Sequence, residues 1–343
     1  MAKVGDAYGY LDTNGNDVIP PQFEEAKSFS QGLAAVKDGG KWGYLDTQGN
    51  WAIAPQFEAA GDFSEEGAIV TLPSGKGIIA RDGTLQVQIT RADVQALLPT
   101  SVTVGNVQIS PFADGLARVT VELEGGRSDR IGFIDGAGNW AISLQEHPIL
   151  DFSEGLAAIE IDGKYGYVDK TGQIAIAPQF KKAQPFSEGL AAVEFADKQL
   201  WYTWGYIDRS GETEIAPQFY SARSFSESLA GVGSVDRGSG YLDRTGTMVI
   251  SRDTIPEFRE GFPFSEGFAR VRIGDWLGYI DRDGNIVIEP QYASAFDVSE
   301  GMARVDISGQ WVDWLGGYDG TASPIYEARL EGSKWGYIQL PVR

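Results

Sequence analysis

Cysteine is absent from this 343-residue chain, histidine occurs once, and no run of about 18 apolar residues is present. The lack of cysteine excludes disulfides, thiol catalysis and cysteine-bound metal, and we expect no cofactor and no metal. The lack of a long apolar run predicts that the chain does not insert into a membrane. The N-terminal segment Met1–Tyr8 has no apolar stretch of the signal-peptide type, which leaves cytoplasm and cell envelope both open.

Basic residues are also scarce. The chain has 28 lysines and arginines against 48 acidic residues, and its formal net charge is −20. This balance repels phosphate backbones and anionic membrane surfaces, so nucleic acid is not an expected partner. Basic proteins, neutral glycans and cations are compatible with it.

Internal repetition dominates what is present. A phenylalanine followed by a short glycine-centred segment recurs eight times, at Phe29, Phe63, Phe112, Phe152, Phe186, Phe225, Phe264 and Phe296. A second glycine marks the middle of each copy, at Gly9, Gly43, Gly77, Gly132, Gly166, Gly205, Gly240, Gly278 and Gly336. Tandem copies of one unit predict a repeat architecture that works as an extended surface, in which chemistry would come from a copy that departs from the pattern.

One unit predicts three short strands. In residues 29–63 the segments 32–37 and 42–46 flank the turn at Gly39 and Gly40, and 51–54 follows a second turn and ends at Pro55, which cannot donate to a strand ladder. The fold class is therefore all-β, with tandem three-stranded antiparallel meanders joined by aromatic-anchored crossovers. A glycine inside a strand indicates a close approach, and an aromatic ring from a neighbouring strand or unit is the expected visitor.

The hexapeptide KWGYLD at 41–46, KWGYI at 334–338, WGYID at 204–208 and the recurring APQF together resemble the bacterial WG-repeat (KWG) family. The resemblance implies a β-rich repeat array with no general enzymatic activity, and it transfers no catalytic or binding residue. Gly77 and Gly132 depart from it, because both lack the Trp-Gly-Tyr triplet. The predicted organisation is a single array over 1–343 of eight to nine units, with a helix-containing insertion near 86–108 and a degenerate unit near 309–325.

Two arrangements of these units are compatible with the sequence. The hairpin around Gly9 and the one around Gly336 look alike, so neither is needed to complete the other. This favours an open β-solenoid or superhelical array over the alternative, a closed β-propeller-like ring. A radius of gyration near the compact value for this length, roughly 20 Å, would contradict an elongated array.

Candidate chemical groups have structural interpretations. The single histidine, His147, reads as a surface substitution in a crossover. The turns at 12–17, 46–50 and 281–285 invite a calcium interpretation, but Asp, Asn and Gly are also what hairpin turns need. The recurring glutamates are turn or strand-edge residues by the same reasoning: Glu154, Glu188, Glu266 and Glu300.

Tryptophan is the best functional lead. Trp42, Trp204 and Trp335 lie in the repeat motif and are expected to pack, and Trp51 and Trp140 are expected on the core side of the third strand. The loop residues Trp201, Trp311 and Trp314 are the candidate binding residues.

The function that these features favour is a non-enzymatic repeat scaffold for macromolecular interaction, with a protein as the expected partner. The alternatives are a glycan- or cell-wall-binding module and a carboxylate-based hydrolase in one divergent repeat.

Overall fold

The computed structural model describes residues 2–4, 7–11, 17–196, 203–234, 238–299, 302–306 and 335–340. In this part of the chain the fold is all-β, as predicted, with one short helix, α1 (Arg91–Gln95). Successive antiparallel sheets follow one another along the sequence, and none of the described sheets closes into a barrel, which is consistent with an open β-repeat array. The preference for an open array over a closed ring stays a prediction. Two compact units, Met1–Pro185 and Phe186–Arg343, are described in turn.

The first unit contains five sheets. Its strands are β1 (Ala2–Val4), β2 (Ala7–Leu11), β3 (Asp17–Phe23), β4 (Glu25–Ala26), β5 (Leu33–Asp38), β6 (Lys41–Asp46), β7 (Trp51–Phe57), β8 (Ala59–Ala60), β9 (Ala68–Leu72), β10 (Gly75–Ile79), β11 (Leu85–Ile89), β12 (Val104–Ile109), β13 (Ala117–Leu123), β14 (Arg130–Ile134), β15 (Trp140–Gln145), β16 (Leu156–Ile161), β17 (Lys164–Asp169), β18 (Ile174–Phe180) and β19 (Lys182–Ala183). The sheet orders are β1-β2-β3, β4-β5-β6-β7, β11-β10-β9-β8, β12-β13-β14-β15 and β16-β17-β18.

The second unit continues the pattern. Its strands are β20 (Leu190–Glu194), β21 (Trp204–Asp208), β22 (Thr213–Phe219), β23 (Ser221–Ala222), β24 (Leu229–Ser234), β25 (Gly238–Asp243), β26 (Met248–Ile250), β27 (Phe258–Ser265), β28 (Phe268–Ile273), β29 (Trp276–Asp281), β30 (Ile286–Tyr292), β31 (Met302–Asp306) and β32 (Trp335–Gln339). Within this unit the strands pair as β20-β21-β22, β23-β24-β25-β26, β27-β28-β29-β30 and β31-β32.

The three-stranded meander is confirmed, and the structure adds a short fourth strand to several sheets. This strand comes from the crossover that precedes the meander: in β4, Glu25 and Ala26 pair with Lys37 and Val36 of β5. β8 pairs with β9 in the same way. Two residues are too few for a sequence pattern to reveal, but the pairing covers the edge of the first long strand and fixes the crossover against its own sheet.

Small side chains on the first long strand allow sheets to pack on both of its faces. Ala34 and Ala35 in β5 are both almost fully buried. Ala34 belongs to a cluster with Tyr10 of the preceding sheet, whereas Ala35 belongs to a cluster with Tyr44 and Phe63 on the other face. Successive side chains of a strand point to opposite faces, so an Ala-Ala pair leaves room for a large ring on either side.

In five copies the strand glycine is approached by backbone and not by an aromatic ring, so the expectation is wrong there, whereas at Gly132 the nearest group is the Trp140 ring. At Gly43 an added Cβ would lie 2.6 Å from the carbonyl oxygen of Ile53 and 2.7 Å from the nitrogen of Pro55. The register between β6 and β7 shifts between Trp42 and Tyr44, because β7 arches over the glycine at its proline. The same backbone contact occurs at Gly9, Gly166, Gly205 and Gly278.

The core prediction for Trp51 is also wrong. Trp51 is 40 % exposed although Ile53, two residues on, is buried. A second register shift between Tyr44 and Leu45 interrupts the alternation of β7, so the two side chains leave the sheet on different faces. Trp140, in the equivalent position, is half-buried and packs on a core cluster, with its ring against Gly132.

The insertion near 86–108 contains α1 and β12. Thr90 and Asp93 form the predicted capping box: the Thr90 side chain accepts from the Asp93 amide, and the Asp93 carboxylate accepts from the Thr90 amide. Val94 is buried and Leu97 is exposed. β12 pairs with β13, the first long strand of its meander. It therefore lies at the sheet edge that the two-residue strands β4 and β8 cover in their own sheets. Among the described residues no helix is long and apolar enough to cross a bilayer.

Candidate functional site

The motif tyrosine ties each crossover to its own sheet. Its buried hydroxyl donates to a crossover carbonyl in six copies: Tyr10 to Lys27, Tyr44 to Gly61, Tyr167 to Gln184, Tyr206 to Arg223, Tyr241 to Phe262 and Tyr279 to Phe296, at 2.6 to 2.8 Å. Burial raises the pKa of all six tyrosines. Each hydroxyl therefore stays protonated and available as a donor at neutral pH.

An aromatic ring accompanies this hydrogen bond. For Tyr10, Tyr44, Tyr206 and Tyr241 the anchor phenylalanine two residues after the bonded carbonyl packs on the tyrosine ring, with centroid distances of 4.7 to 5.0 Å. At Tyr279 the bonded carbonyl belongs to Phe296 itself. Edge-to-face pairs at this separation are favourable. The tyrosine and its phenylalanine thus form one structural element of the repeat.

The Ser-Glu-Gly turns connect neighbouring copies. At Glu188 and Gly189 φ is positive at both central residues, as a type I′ turn requires. The Glu188 carboxylate accepts from the Ser228 amide in the next turn, at 3.0 and 3.1 Å. Glu227 accepts from Gly267 in the same manner, and Ser187 donates through Oγ to the Phe225 carbonyl. In these copies the glutamate recurs because it bonds the turn of the next copy. Glu300 lies outside the described residues.

The Asp-rich turns use their carboxylates internally. Asp46 Oδ1 accepts from the Gln48 and Asn50 amides at 2.9 and 2.8 Å, and these hydrogen bonds hold its pKa below the ordinary value. The same arrangement surrounds Asp281. No group of three or more acidic or histidine side chains in the described residues has the geometry to hold a metal ion. These turns therefore have the geometry of structural Asx turns, and most of the 12–17 turn lies outside the described part.

The third copy departs from this scheme at four positions. Gly77 pairs with Val70 as Gly43 pairs with Val36, and this register places Lys76 at the position of the motif tryptophan and Ile78 at that of the tyrosine. The turn carries Glu66 in place of glycine, and Gly67 takes the place of the following leucine. Consequently Phe112, the next anchor phenylalanine, has no tyrosine to pack on.

A pocket of about 230 Å³ opens at these departures, and we call it the lysine pocket. It lies among the crossovers at 59–62 and 109–112 and the strands β9 and β10, and it is lined by Lys27, Ala59, Ala60, Gly61, Asp62, Gly67, Ile69, Thr71, Lys76, Ile109, Pro111 and Phe112. The Lys76 ammonium donates to Thr71 Oγ1 at 2.9 Å, and the Lys27 ammonium lies 6.0 Å from the centre of the Trp42 ring. Both lysines are half-buried, and neither forms an ion pair with any described residue.

Asp62 connects the pocket to the tyrosines. Its carboxylate, together with burial as the larger cause, raises the pKa of both Tyr10 and Tyr44. The carbonyls to which these two hydroxyls donate belong to Lys27 and Gly61, which line the pocket. Two regular repeats therefore position the part of the pocket wall at Lys27 and Gly61, and the divergent repeat positions the part at Gly67 and Lys76.

A more open groove of about 660 Å³ adjoins the lysine pocket, and we call it the acidic groove. Its lining residues are Ser30, Gln31, Asp62, Phe63, Ser64, Glu65, Glu66, Pro111, Phe112, Asp114 and Gly115. Asp114 is occupied by Lys170, at 3.0 Å, and by the Gly155 amide. Asp62, Glu65 and Glu66 form no ion pair among the described residues. The groove therefore carries unneutralised negative charge beside a pocket whose two ammonium groups form no ion pair with a described residue.

The sequence did not single out either site. All three candidate binding residues, Trp201, Trp311 and Trp314, lie outside the described residues. His147 is exposed, which agrees with a surface position. The available signal was the loss of the Trp-Gly-Tyr triplet at Gly77, where Ile78 offers no ring to Phe112. In the other copy without the triplet, Phe133 still packs on the next phenylalanine, Phe152, at 5.0 Å.

The repetition defines the class: a β-repeat protein whose third copy departs from the pattern at four positions. The sequence profile of the WG containing repeat matches residues 8–42, 42–72, 131–165, 165–198, 204–233, 240–275 and 278–311. The chain therefore belongs to the WG-repeat family. The matched segments leave out 73–130, which holds Lys76 and the second crossover of the lysine pocket. No curated protein matches the chain.

The chain was also compared with solved structures. The crystal structure described as that of the eukaryotic initiation factor is 12 % identical, with a TM-score of 0.51, and the similarity covers 87 % of this chain and 86 % of that one. A Kluyveromyces lactis Hsv2p structure is 9 % identical, with a TM-score of 0.38, over 74 % of this chain and 91 % of that one. At 12 % identity the similarity to the first structure is one of fold alone.

Proposed function

We propose that this chain is a non-enzymatic interaction scaffold that binds a protein partner at the divergent third repeat. The observation that carries the proposal is the pair of adjoining sites whose walls contain three of the four departures of this copy, Lys76, Gly67 and Glu66. Elsewhere in the described residues the recurring polar groups have partners within the repeat, as the tyrosine, serine and glutamate contacts illustrate. At the third copy charged groups are left available for an external partner.

The charge of the acidic groove favours a partner with a basic segment. Asp62, Glu65 and Glu66 lie together without cationic partners among the described residues, on a chain of net charge −20. Such a field attracts lysine- or arginine-rich segments and accelerates their association at low salt. Pro111 and Phe112 line both sites and offer apolar surface against which a partner can pack, in addition to the attraction between charges.

A non-enzymatic role is also supported by the titrating groups. Turn and cap hydrogen bonds hold the pKa of aspartates such as Asp46 and Asp93 below the ordinary value, so these acids are ionised at neutral pH. A hydrolase of the two-carboxylate type needs one acid with a raised pKa. The glycan alternative rests on Trp201, Trp311 and Trp314, and it stays a prediction.

The test is affinity capture from a bacterial lysate with a matched pair of triple variants. The immobilised chain is compared with Asp62→Asn/Glu65→Gln/Glu66→Gln and with the control Glu58→Gln/Glu214→Gln/Glu289→Gln, which removes the same charge from other exposed positions. Mass spectrometry identifies the bound proteins and quantifies them across a salt gradient.

We expect a basic protein that the wild type and the control retain and that high salt releases, since screening is nearly complete at 1 M salt. The groove variant should retain about tenfold less, because exposed ion pairs contribute up to about 1 kcal/mol each. Equal capture by the groove variant and the control would refute this location. Retention on wall polysaccharide without any enriched protein would favour the glycan alternative.

A further inference from the structure

We infer that the lysine pocket is a subsite for a single carboxylate side chain, a glutamate of the partner, flanked by the basic residues that the acidic groove attracts. The inference deepens the proposed function, since the partner is the one described above. It rests on the charge of the lining residues, on the size of the cavity and on its apolar wall.

The charge of the lining selects a monoanion. Lys27 and Lys76 contribute two positive charges and Asp62 one negative charge, so the pocket has a net charge of +1. A carboxylate neutralises this charge, whereas a phosphate dianion would leave the pocket negative beside Glu65 and Glu66. Burying an uncompensated charge is costly, so the matched monoanion is preferred.

The position of Lys76 is prepared for this role. Its ammonium donates one hydrogen bond to Thr71 Oγ1, which fixes the head of the side chain and leaves donors for a ligand oxygen. The main chain of Lys27 is fixed, because its carbonyl oxygen accepts a hydrogen bond from the Tyr10 hydroxyl at 2.6 Å. Charge-assisted hydrogen bonds of this kind are stronger than those between neutral groups.

The volume and the wall indicate a side chain with methylenes. At about 230 Å³ the cavity is smaller than the roughly 300–1,000 Å³ of pockets that hold drug-sized ligands. Ile69, Ile109 and the half-buried Phe112 supply apolar surface beside the two ammonium groups. Glutamate fits both features, because its methylenes reach past the apolar wall before the carboxylate.

The experiment uses the full chain labelled with ¹³C at isoleucine δ1-methyl groups. Ile69 and Ile109 line the pocket and report occupancy, Ile53 and Ile176 are core references, and Ile→Val variants assign the signals. The probe is the capped tripeptide acetyl-Lys-Glu-Lys-amide. Two peptides of the same length, with glutamine or phosphoserine in place of glutamate, test the chemistry of the central side chain.

We expect the glutamate peptide to shift the Ile69 and Ile109 signals and the glutamine peptide to leave them unchanged. Lys27→Gln and Lys76→Gln should each weaken binding about tenfold, the loss of one charge-assisted hydrogen bond. Lys164→Gln, an exposed lysine of another repeat, should have no effect. Unchanged Ile53 and Ile176 signals verify that each variant is folded.

Four outcomes overturn the inference. They are absence of any shift at Ile69 and Ile109, equal binding of the glutamine peptide, tighter binding of the phosphoserine peptide, and insensitivity to both lysine substitutions. The two proposals fail separately. If lysate capture depends on Asp62, Glu65 and Glu66 while the tripeptide is insensitive to the lysines, the scaffold proposal holds and the carboxylate subsite is wrong.

Discussion

Substitution of Gly43 by alanine is the sharpest test of how the repeat is built. The added Cβ would meet the Ile53 carbonyl oxygen at 2.6 Å and the Pro55 nitrogen at 2.7 Å. Both are main-chain atoms of β7, so no side-chain rotation relieves the contact, and reaching an ordinary 3.4 Å requires the arch to move by about 0.8 Å. Overpacking of this kind costs about 1–3 kcal/mol, and we expect a value in the upper half of that range.

Gly77 provides a matched control at the same register of the divergent copy. There an added Cβ would meet Leu85 Cδ1 at 2.7 Å and Leu72 Cδ1 at 3.1 Å, which are the ends of flexible side chains. β10 and β11 pair without a shift between Lys76 and Ile78, so no backbone arch covers this glycine. Alanine is also favoured over an interior glycine by roughly 0.5–1 kcal/mol. We expect Gly77→Ala to change stability by less than about 1 kcal/mol.

The assay combines urea unfolding with hydrogen exchange read by mass spectrometry. Repeat proteins can unfold in parts, so the change in local opening free energy over 41–57 for Gly43→Ala is compared with that over 75–89 for Gly77→Ala. Loss of protection confined to 41–57 and its neighbours is the expected result. Equal costs for the two substitutions, or a smaller cost at Gly43, would refute the argument that backbone contact requires glycine.

Three further outcomes follow from the same contacts. Tyr206→Phe leaves a buried carbonyl without its donor and should lower the free energy of unfolding by about 1–2 kcal/mol in urea, whereas Tyr165→Phe, at a half-buried site, should cost less. The Thr171 hydroxyl and the turn amides lower the pKa of Asp169, so the stability that this carboxylate contributes is present at neutral pH and is lost as pH falls below the ordinary value of 3.8. Asp169→Asn should flatten that part of the profile of melting temperature against pH. Thr90→Ala should cost about 1 kcal/mol and increase exchange in 91–95, and unchanged exchange there would contradict the observed capping box.

Much of the fold could be predicted because its signals are local. The strands around Trp42 and the turn at Gly39 and Gly40 follow from composition and spacing, and the capping box of α1 follows from Thr90 and Asp93. For the candidate site, the sequence could predict the location along the chain but not the residues that line it. The missing triplet at Gly77 marks the divergent copy, but nothing in the sequence indicates that Phe112 and Lys27 line the same cavity, since 85 residues of chain separate them.

The sequence by itself determined the repeat, its period and its antiparallel meander, because turn residues and alternating side chains act over a few positions. Tertiary structure decided which groups meet across copies. The arch of β7 exposes Trp51 and places main chain on Gly43, and the divergent copy brings Lys76 and Gly67 into the wall of the lysine pocket. These outcomes depend on register shifts and on packing between sheets, and both are set by contacts between residues far apart in the chain.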